Sequence, residues 1–161
     1  MILIVFTNLK CMASGHSQSS SMAVLSCSRN GHPFASFAAL AESISDSLPN
    51  VRAVIDGEIC SLDRRGKPQF KNLLFRRGNP LCFFAFDLLT CDGKDLRTER
   101  LLDRKQELRR LLARGCAPLK YTEYIDEHGT ALFQRVCELD LEGVVAKQKS
   151  APYVTEREHS T

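Results

Sequence analysis

The sequence predicts an α+β domain built from antiparallel-rich sheets with helices packed on them. Three observations favour this class: strand-like runs alternate with helical periods, hairpin turn signals separate the strands, and there is no internal repeat. The chain has 161 residues, a net charge of +3, 43% hydrophobic residues and 25% charged residues. These values are typical of about one soluble globular domain, and they neither demand nor exclude nucleic acid as a partner.

The first 50 residues are less regular than the rest. The apolar run at residues 2–6 has no basic residue before it and is too short for a signal-peptide core or a membrane span, so a buried strand is predicted. Residues 12–28 are crowded with serine and show no period, which by composition indicates a linker. We therefore expect residues 1–27 to be a damaged or linker-like segment, residues 28–157 a folded domain, and residues 158–161 a tail.

From Val51 onward, the local signals agree with one another. Residues 53–62 predict a strand, turn chemistry follows at residues 63–68, and residues 70–77 predict a short helical piece. Residues 81–89 are nearly continuously apolar, rich in phenylalanine and too short for a typical helix, so a central strand is predicted. The turn Cys91-Asp92-Gly93-Lys94 ends it.

The second half continues the alternation. Leucines recur at near-helical spacing in residues 101–112 among charged residues, and Gly115 is placed to end this helix. We expect the helix to lie on the sheet with its charges outward. Residues 119–124 alternate like an edge strand, residues 131–139 carry an apolar helical stripe, and residues 142–147 return as a strand.

The cysteine pattern indicates the cellular compartment of the protein. Seven cysteines are an odd number, and no Cys-x-x-Cys pair occurs. This pattern argues against a disulfide framework and against a zinc site. It predicts a reducing, cytoplasmic location. The shortness of the apolar run at residues 2–6 predicts that the membrane is not a partner.

Three short motifs occur in one order: Asp56-Gly57-Glu58, then Phe84-Ala85-Phe86-Asp87, then Glu142-Gly143-Val144-Val145-Ala146-Lys147. This order resembles the adenylation (nucleotidyltransferase) domain of ATP-dependent DNA ligases, most closely the bacterial end-joining type. Intervening matches include Pro68-Gln69-Phe70, Phe75-Arg76-Arg77-Gly78 and Ala151-Pro152-Tyr153. The resemblance covers roughly residues 28–157. It implies an ATP-grasp-like nucleotidyltransferase fold, present here in incomplete form.

The resemblance implies nick sealing in DNA repair and recombination. A lysine amine attacks the α-phosphorus of ATP, pyrophosphate leaves, and the AMP is then passed to a 5′-phosphate at a nick. ATP and Mg²⁺ are the implied cofactors, and nicked double-stranded DNA and other end-joining proteins or domains are the implied partners. Lysine attacks only as the neutral amine, so the site must lower its pKa. Lys10 is the candidate by position; the alternative is a solvated lysine at a strand end.

The second and third motifs imply contacts with the nucleoside. Glu58 would hydrogen-bond the ribose and help to organise the metal, because a carboxylate accepts from hydroxyls and attracts hydrated magnesium. The alternative is an exposed hairpin glutamate. Phe86 would stack on the adenine, and core packing is the alternative. Alternation places Phe84 on the same face as Phe86 and Phe83 on the other, so Phe84 is the fallback.

The remaining implied residues face the phosphates. Glu142 would bind a divalent metal at the α-phosphate, Val144 would pack against the base, and Lys147 would point toward phosphate. Taken alone, this hexapeptide could be any buried strand. Arg29 matches a family arginine that reaches the nucleotide or the DNA end; the alternative is a turn arginine beside Asn-Gly. A basic cluster would attract the DNA backbone, unless it is an ordinary solvated surface; it comprises Arg64, Arg65, Lys67, Lys71, Arg76 and Arg77.

The chain departs from the family pattern at its first motif, Lys-x-Asp-Gly-x-Arg. Here Lys10-Cys11 is followed by Met12-Ala13. Restoring one G between the codons for Cys11 and Met12 allows the following codons to spell Asp-Gly-Phe-Arg and an apolar strand. We hypothesise that residues 12 to about 23 are an out-of-frame translation, with a compensating change near Val24. A native linker or a divergent segment is the alternative.

A second departure lies at the other end. The chain stops at Thr161, before the lysine pair and the oligonucleotide-binding barrel that the family carries. Losing such preorganised charges costs orders of magnitude in rate, so we expect this polypeptide alone neither to self-adenylate efficiently nor to seal nicks. Two other functions remain open: a non-catalytic nucleotide- or DNA-binding remnant, and an RNA ligase or capping-type nucleotidyltransferase.

Overall fold

The computed structural model describes residues 2–6, 10–16, 22–26, 37–64, 80–113, 117–126, 129–138 and 143–154. In these ranges the strands are β1 (Ile2–Phe6), β2 (Lys10–His16), β3 (Met22–Ser26), β4 (Ala53–Ser61), β5 (Leu81–Cys91), β6 (Lys94–Asp95), β7 (Leu119–Tyr121), β8 (Ile125–Asp126) and β9 (Gly143–Lys147). The helices are α1 (Ala38–Ser47), α2 (Leu101–Leu111) and α3 (Gly129–Glu138).

The strands form two sheets. The larger sheet has the order β3-β2-β4-β5-β6, and all of these pairs are antiparallel, while β7 lies parallel to β5. The smaller sheet has the order β8-β1-β9 and is antiparallel throughout. Helices and antiparallel-rich sheets in one chain confirm the α+β prediction.

The serine-rich N-terminal stretch forms two strands in the structure. β2 pairs with β4 on one side and with β3 on the other. The interpretation of residues 12–28 as linker was therefore wrong over β2 and β3. The reason is that β4 supplies a ladder of backbone partners, which imposes an extended chain whatever its composition. The domain boundaries, with residues 1–27 set apart, remain a prediction.

The main core lies between the larger sheet and helix α1. Ile55 and Ile59 of β4 and Phe83 of β5 are almost completely buried in it, together with Leu40 and Ile44 of α1. The two helix residues are four positions apart and therefore lie on the same face of α1. Phe83 is therefore a core residue.

Gly57 marks an irregularity in the central pair of strands. The register between β4 and β5 shifts between Asp56 and Gly57. A Cβ at Gly57 would come within 2.5 Å of the Phe84 carbonyl oxygen and would also strike the ring of Phe83. Only glycine allows the two strands to approach this closely beside Glu58.

Helix α2 confirms the predicted helix and corrects the prediction about its charges. Leu101 and Leu108 are buried, but so are Arg104 and Lys105, which are 2% and 1% exposed. The expectation that all charges of this helix point outward was therefore wrong for these two residues. The predicted helical piece at residues 70–77 lies outside the described residues. No helix among the described residues is long and apolar enough to cross a membrane.

Candidate functional site

Strand pairing brings the first two motifs together. Glu58 on β4 lies opposite Lys10 of β2 and opposite Phe84 of β5. Its side chain is only 5% exposed, which excludes the exposed hairpin glutamate considered above. The backbone of the predicted nucleophile thus lies one strand away from the carboxylate predicted to bind the nucleotide.

Phe86 lies where the two sheets meet. Its ring is buried in a small cluster with Leu101, Leu102 and Tyr124 that is separate from the main core. The Lys147 Nζ, from β9 of the smaller sheet, lies 5.1 Å from the centroid of the Phe86 ring. At this distance the ring attracts the ammonium group, and a cation–π contact links the second motif to the third.

Phe84 has a different environment from Phe86. It is partly exposed, and the Lys120 Nζ lies 5.8 Å from its ring centroid. Both phenylalanines therefore have a lysine ammonium near the ring, but only Phe86 has the lysine of the third motif. The Phe86 ring is only 3% exposed in its apolar cluster, and its stacking role stays a prediction.

Several predicted site residues lie outside the described part of the chain. These are Arg29, Glu142 and the basic cluster apart from Arg64, which is exposed. The backbone of Val144 is in β9, opposite Val5 of β1. The roles of Arg29, Glu142 and Val144 stay predictions.

A buried ion pair stands next to Phe86 in the chain. The Asp87 carboxylate accepts hydrogen bonds from Arg104 Nε at 2.8 Å and from Arg104 Nη2 at 2.9 Å. It also accepts one from the backbone N–H of Leu88 at 2.9 Å. Arg104 donates further to the carbonyl of Glu99 at 2.5 Å. This bidentate geometry gives a strong and specific pairing.

A second buried carboxylate, Asp56, lies opposite Asp87 in the strand register. The Tyr153 hydroxyl donates a hydrogen bond to Asp56 Oδ2 at 3.3 Å. The Arg104 guanidinium, which binds Asp87, lies 5.8 Å from the Tyr153 ring centroid. Tyr153 therefore contacts both Asp56 and the cation that pairs with Asp87. Burial raises the pKa of the Tyr153 hydroxyl, and the Asp56 charge raises it further. Tyr153 therefore stays protonated and serves as a donor.

Lys105 supports Phe86 from the backbone side. Its Nζ donates to the carbonyl oxygens of Phe86 and Thr122, both at 3.1 Å. The rings of Tyr121 and Tyr124 flank it at 4.7 and 5.5 Å. Burial lowers the pKa of Lys105 to about 8, and the nearby negative charge of Asp87 only partly opposes this effect.

The sequence prediction assigned no role to Arg104 or Lys105. A signal was present, because Arg104 and Lys105 lie three and four residues after Leu101, and Leu108 follows at the same spacing. Positions at that spacing share the face of a helix that packs on the sheet. Cations on an apolar stripe indicate buried polar partners.

Comparisons with known proteins agree with this arrangement. Residues 16–160 match the family described as "ATP dependent DNA ligase domain". The multifunctional non-homologous end joining protein LigD of Pseudomonas aeruginosa is 34% identical over 134 residues, which are 80% of this chain and 16% of that protein. The chain therefore spans a small part of the length of this curated relative.

Solved structures agree as well. A structure of mycobacterial DNA ligase D complexed with ATP and MES has a TM-score of 0.73 at 28% identity, covering 96% of this chain and 50% of the other. The ligase domain of Mycobacterium tuberculosis LigD has a TM-score of 0.72 at 27% identity, with the same coverage. Family match, relatives and fold all lead to one assignment. The chain belongs to the ATP-dependent DNA ligase domain family.

Proposed function

We propose that this chain binds ATP between its two sheets and is the nucleotidyltransferase part of an ATP-dependent DNA ligase of the end-joining type. One observation carries the proposal: Phe86 of the larger sheet meets Lys147 of the smaller one, and buried Glu58 lies on the strand next to β5. An aromatic ring, an ammonium group and a carboxylate are the groups that adenine, phosphate and ribose require. The name of the relative solved with ATP also supports ATP as the nucleotide.

In this proposal Phe86 binds the base and Lys147 binds the phosphates. The Lys147 ammonium lies near the ring that the adenine is proposed to use. A lysine side chain is long and flexible, so the base displaces the ammonium group from the ring and the lysine turns toward the phosphates. The flat ring then supplies stacking area without any hydrogen-bond requirement.

Lys10 is proposed as the nucleophile. Its neutral amine forms an N–P bond to the α-phosphorus while the bond from that phosphorus to the pyrophosphate oxygen breaks. The amine loses a proton and AMP remains on the lysine. The 5′-phosphate of nicked DNA then attacks the same phosphorus and releases Lys10. The pairing of β2 with β4, which holds Lys10 opposite Glu58, supports this assignment.

Glu58 is also proposed as a contact for Mg²⁺. A magnesium ion in a nucleotide site is usually held by one or two carboxylates together with phosphate oxygens and water. The buried carboxylate of Glu58 fits this requirement, and Glu142 is proposed as the second contact. When bound, the ion would offset negative charge that develops on the phosphates.

Nicked double-stranded DNA is the proposed second substrate, and other end-joining proteins are proposed as partners. The names of the relatives, which are DNA ligases and end-joining proteins, support both. A cytoplasmic location is proposed because the seven cysteines are an odd number and include no Cys-x-x-Cys pair, a pattern that argues against a disulfide framework.

The test combines a binding measurement with a covalent one. Calorimetry should show that ATP binds more tightly than GTP and that F86L weakens the binding of ATP. Nicked DNA should compete better than nicked RNA. Labelled ATP should give a lysyl-AMP adduct, whose N–P bond is labile in acid and stable in alkali, and K10M should abolish it. The adduct should form slowly, because Met12-Ala13 replaces the Asp-Gly of the family motif. A preference for GTP, or equal binding by F86L, would contradict the proposal.

A further inference from the structure

Two consecutive cations of helix α2 hold two consecutive residues of strand β5. Arg104 binds the side chain of Asp87, and Lys105 binds the carbonyl of Phe86. Both cations are at most 2% exposed. Burying a charge costs free energy unless the charge is paired and hydrogen-bonded. Each of these cations therefore depends on its partners in β5.

Lys105 reaches two segments on either side of the proposed adenine platform. One hydrogen bond goes to the Phe86 carbonyl in β5 and the other to the Thr122 carbonyl just after β7. Tyr124, which packs beside the Phe86 ring, lies 5.5 Å from the ammonium group. Lys105 thereby holds both the backbone of Phe86 and an aromatic neighbour of its ring.

Arg104 holds the same strand to the segment after β9. Besides Asp87, its guanidinium donates to the carbonyl of Ala151 at 3.3 Å. The backbone N–H of Leu101 also donates to this carbonyl, at 3.0 Å. Since β9 carries Lys147, these bonds fix the spacing between Phe86 and the strand that supplies its ammonium partner.

Stability alone does not require these charges. A buried ion pair, replaced as a whole by well-packed apolar residues of similar volume, often costs little stability. The ammonium group of Lys105 instead selects one placement of β5, because two carbonyls must both lie within hydrogen-bond distance of Nζ. We propose that Lys105, assisted by Arg104, is a positioning residue for nucleotide binding: it fixes the ring of Phe86 for adenine without touching the nucleotide. This inference rests on the proposed function, in which adenine stacks on Phe86.

The experiment measures binding of the nucleoside and binding of the phosphates separately. Adenosine and inorganic tripolyphosphate are titrated by calorimetry into the full chain, into K105M, and into R110M as a matched control. Arg110 is an exposed cation of the same helix, paired with Glu107 at the surface. K105M should weaken the binding of adenosine about tenfold, which raises its Kd by one decade. It should leave tripolyphosphate unchanged, and R110M should leave both unchanged. Equal weakening of both ligands in K105M would overturn the inference.

A double-mutant cycle tests whether Lys105 acts through Phe86. If it does, K105M should have little further effect on adenosine binding in an F86L background. Full additivity would overturn the inference. K105Q keeps a donor at this position without the charge and should recover part of the affinity.

A measurement without ligand keeps the two proposals apart. NMR signals of the labelled Phe86 ring should shift or broaden in K105M and stay in place in R110M. If the wild-type chain fails to bind adenosine while these ring signals still change, the proposed function fails and the positioning of the ring stands. Unchanged ring signals in K105M would overturn the positioning role directly.

Discussion

Arg104 and Asp87 form a two-point ion pair, with N···O distances of 2.8 and 2.9 Å, in which both side chains are at most 2% exposed. The pair joins helix α2 to the central strand of the larger sheet, one residue from Phe86. It therefore links the scaffold to the proposed adenine platform.

Removing the charge of one partner of this pair should destabilise the fold. D87N removes the negative charge and leaves the Arg104 guanidinium buried without its counter-ion, so the free energy of unfolding should fall by about 3–5 kcal/mol. Urea denaturation followed by circular dichroism measures the loss. D103N is the matched control, because Asp103 forms a surface pair with Arg100, and it should change stability little. Equal losses in the two variants would contradict the expectation.

Gly57 should not tolerate a side chain. In G57A the added Cβ meets the Phe84 carbonyl oxygen and the buried ring of Phe83. Neither can move without disturbing the pairing of β4 and β5, so the free energy of unfolding should fall by at least about 1–3 kcal/mol. G93N is the control: Gly93 has a φ of 86° and nothing within 4 Å of its Cβ position, and asparagine adopts positive φ comparatively well. Thermal unfolding should place G57A well below G93N.

Lys105 should make stability depend on pH in the alkaline range. Its pKa is about 8 in the fold against an ordinary value of 10.5, so the unfolded chain binds more protons between these values. Stability contributed by this group therefore rises with pH above about 8, by at most about 1.4 kcal/mol per pH unit. Unfolding of the wild-type chain and K105M should be compared between roughly pH 7.5 and 9.5. The difference in stability, wild type minus K105M, should increase across this range, and a flat or falling difference would refute the shift.

Restoring the family motif should raise nucleotidyl transfer. The double variant M12D/A13G recreates Lys-x-Asp-Gly around Lys10, and we expect it to form lysyl-AMP about tenfold faster, equivalent to about 1.4 kcal/mol in the barrier. Labelled ATP and gel analysis give the rate, and adding K10M to the double variant should abolish the adduct. If the restored chain is no faster, the Met12-Ala13 departure is not what limits the reaction. Sequencing the gene tests the frameshift hypothesis separately, because only certain codons for residues 12–23 can spell the family motif when shifted.

Part of the site could be predicted from motifs along the chain. Glu58 and Phe86 lie on strands with clear local signals, and their order pointed to nucleotide chemistry before any packing was known. Burial of Glu58 and the meeting of Phe86 with Lys147 agree with that prediction. The contact could not be derived from spacing alone, since Phe86 and Lys147 belong to different sheets.

Local periods and short motifs were sufficient to predict the α+β class, the strand rich in phenylalanine, helix α2 and the family to which the chain is similar. Tertiary structure alone decided that the serine-rich stretch forms β2 and β3, since their hydrogen-bond partners come from β4 and from each other. It also decided that Arg104 and Lys105 point inward. Their carbonyl and carboxylate partners lie on strands distant in the chain, and only the packing of α2 against β5 brings those partners within reach.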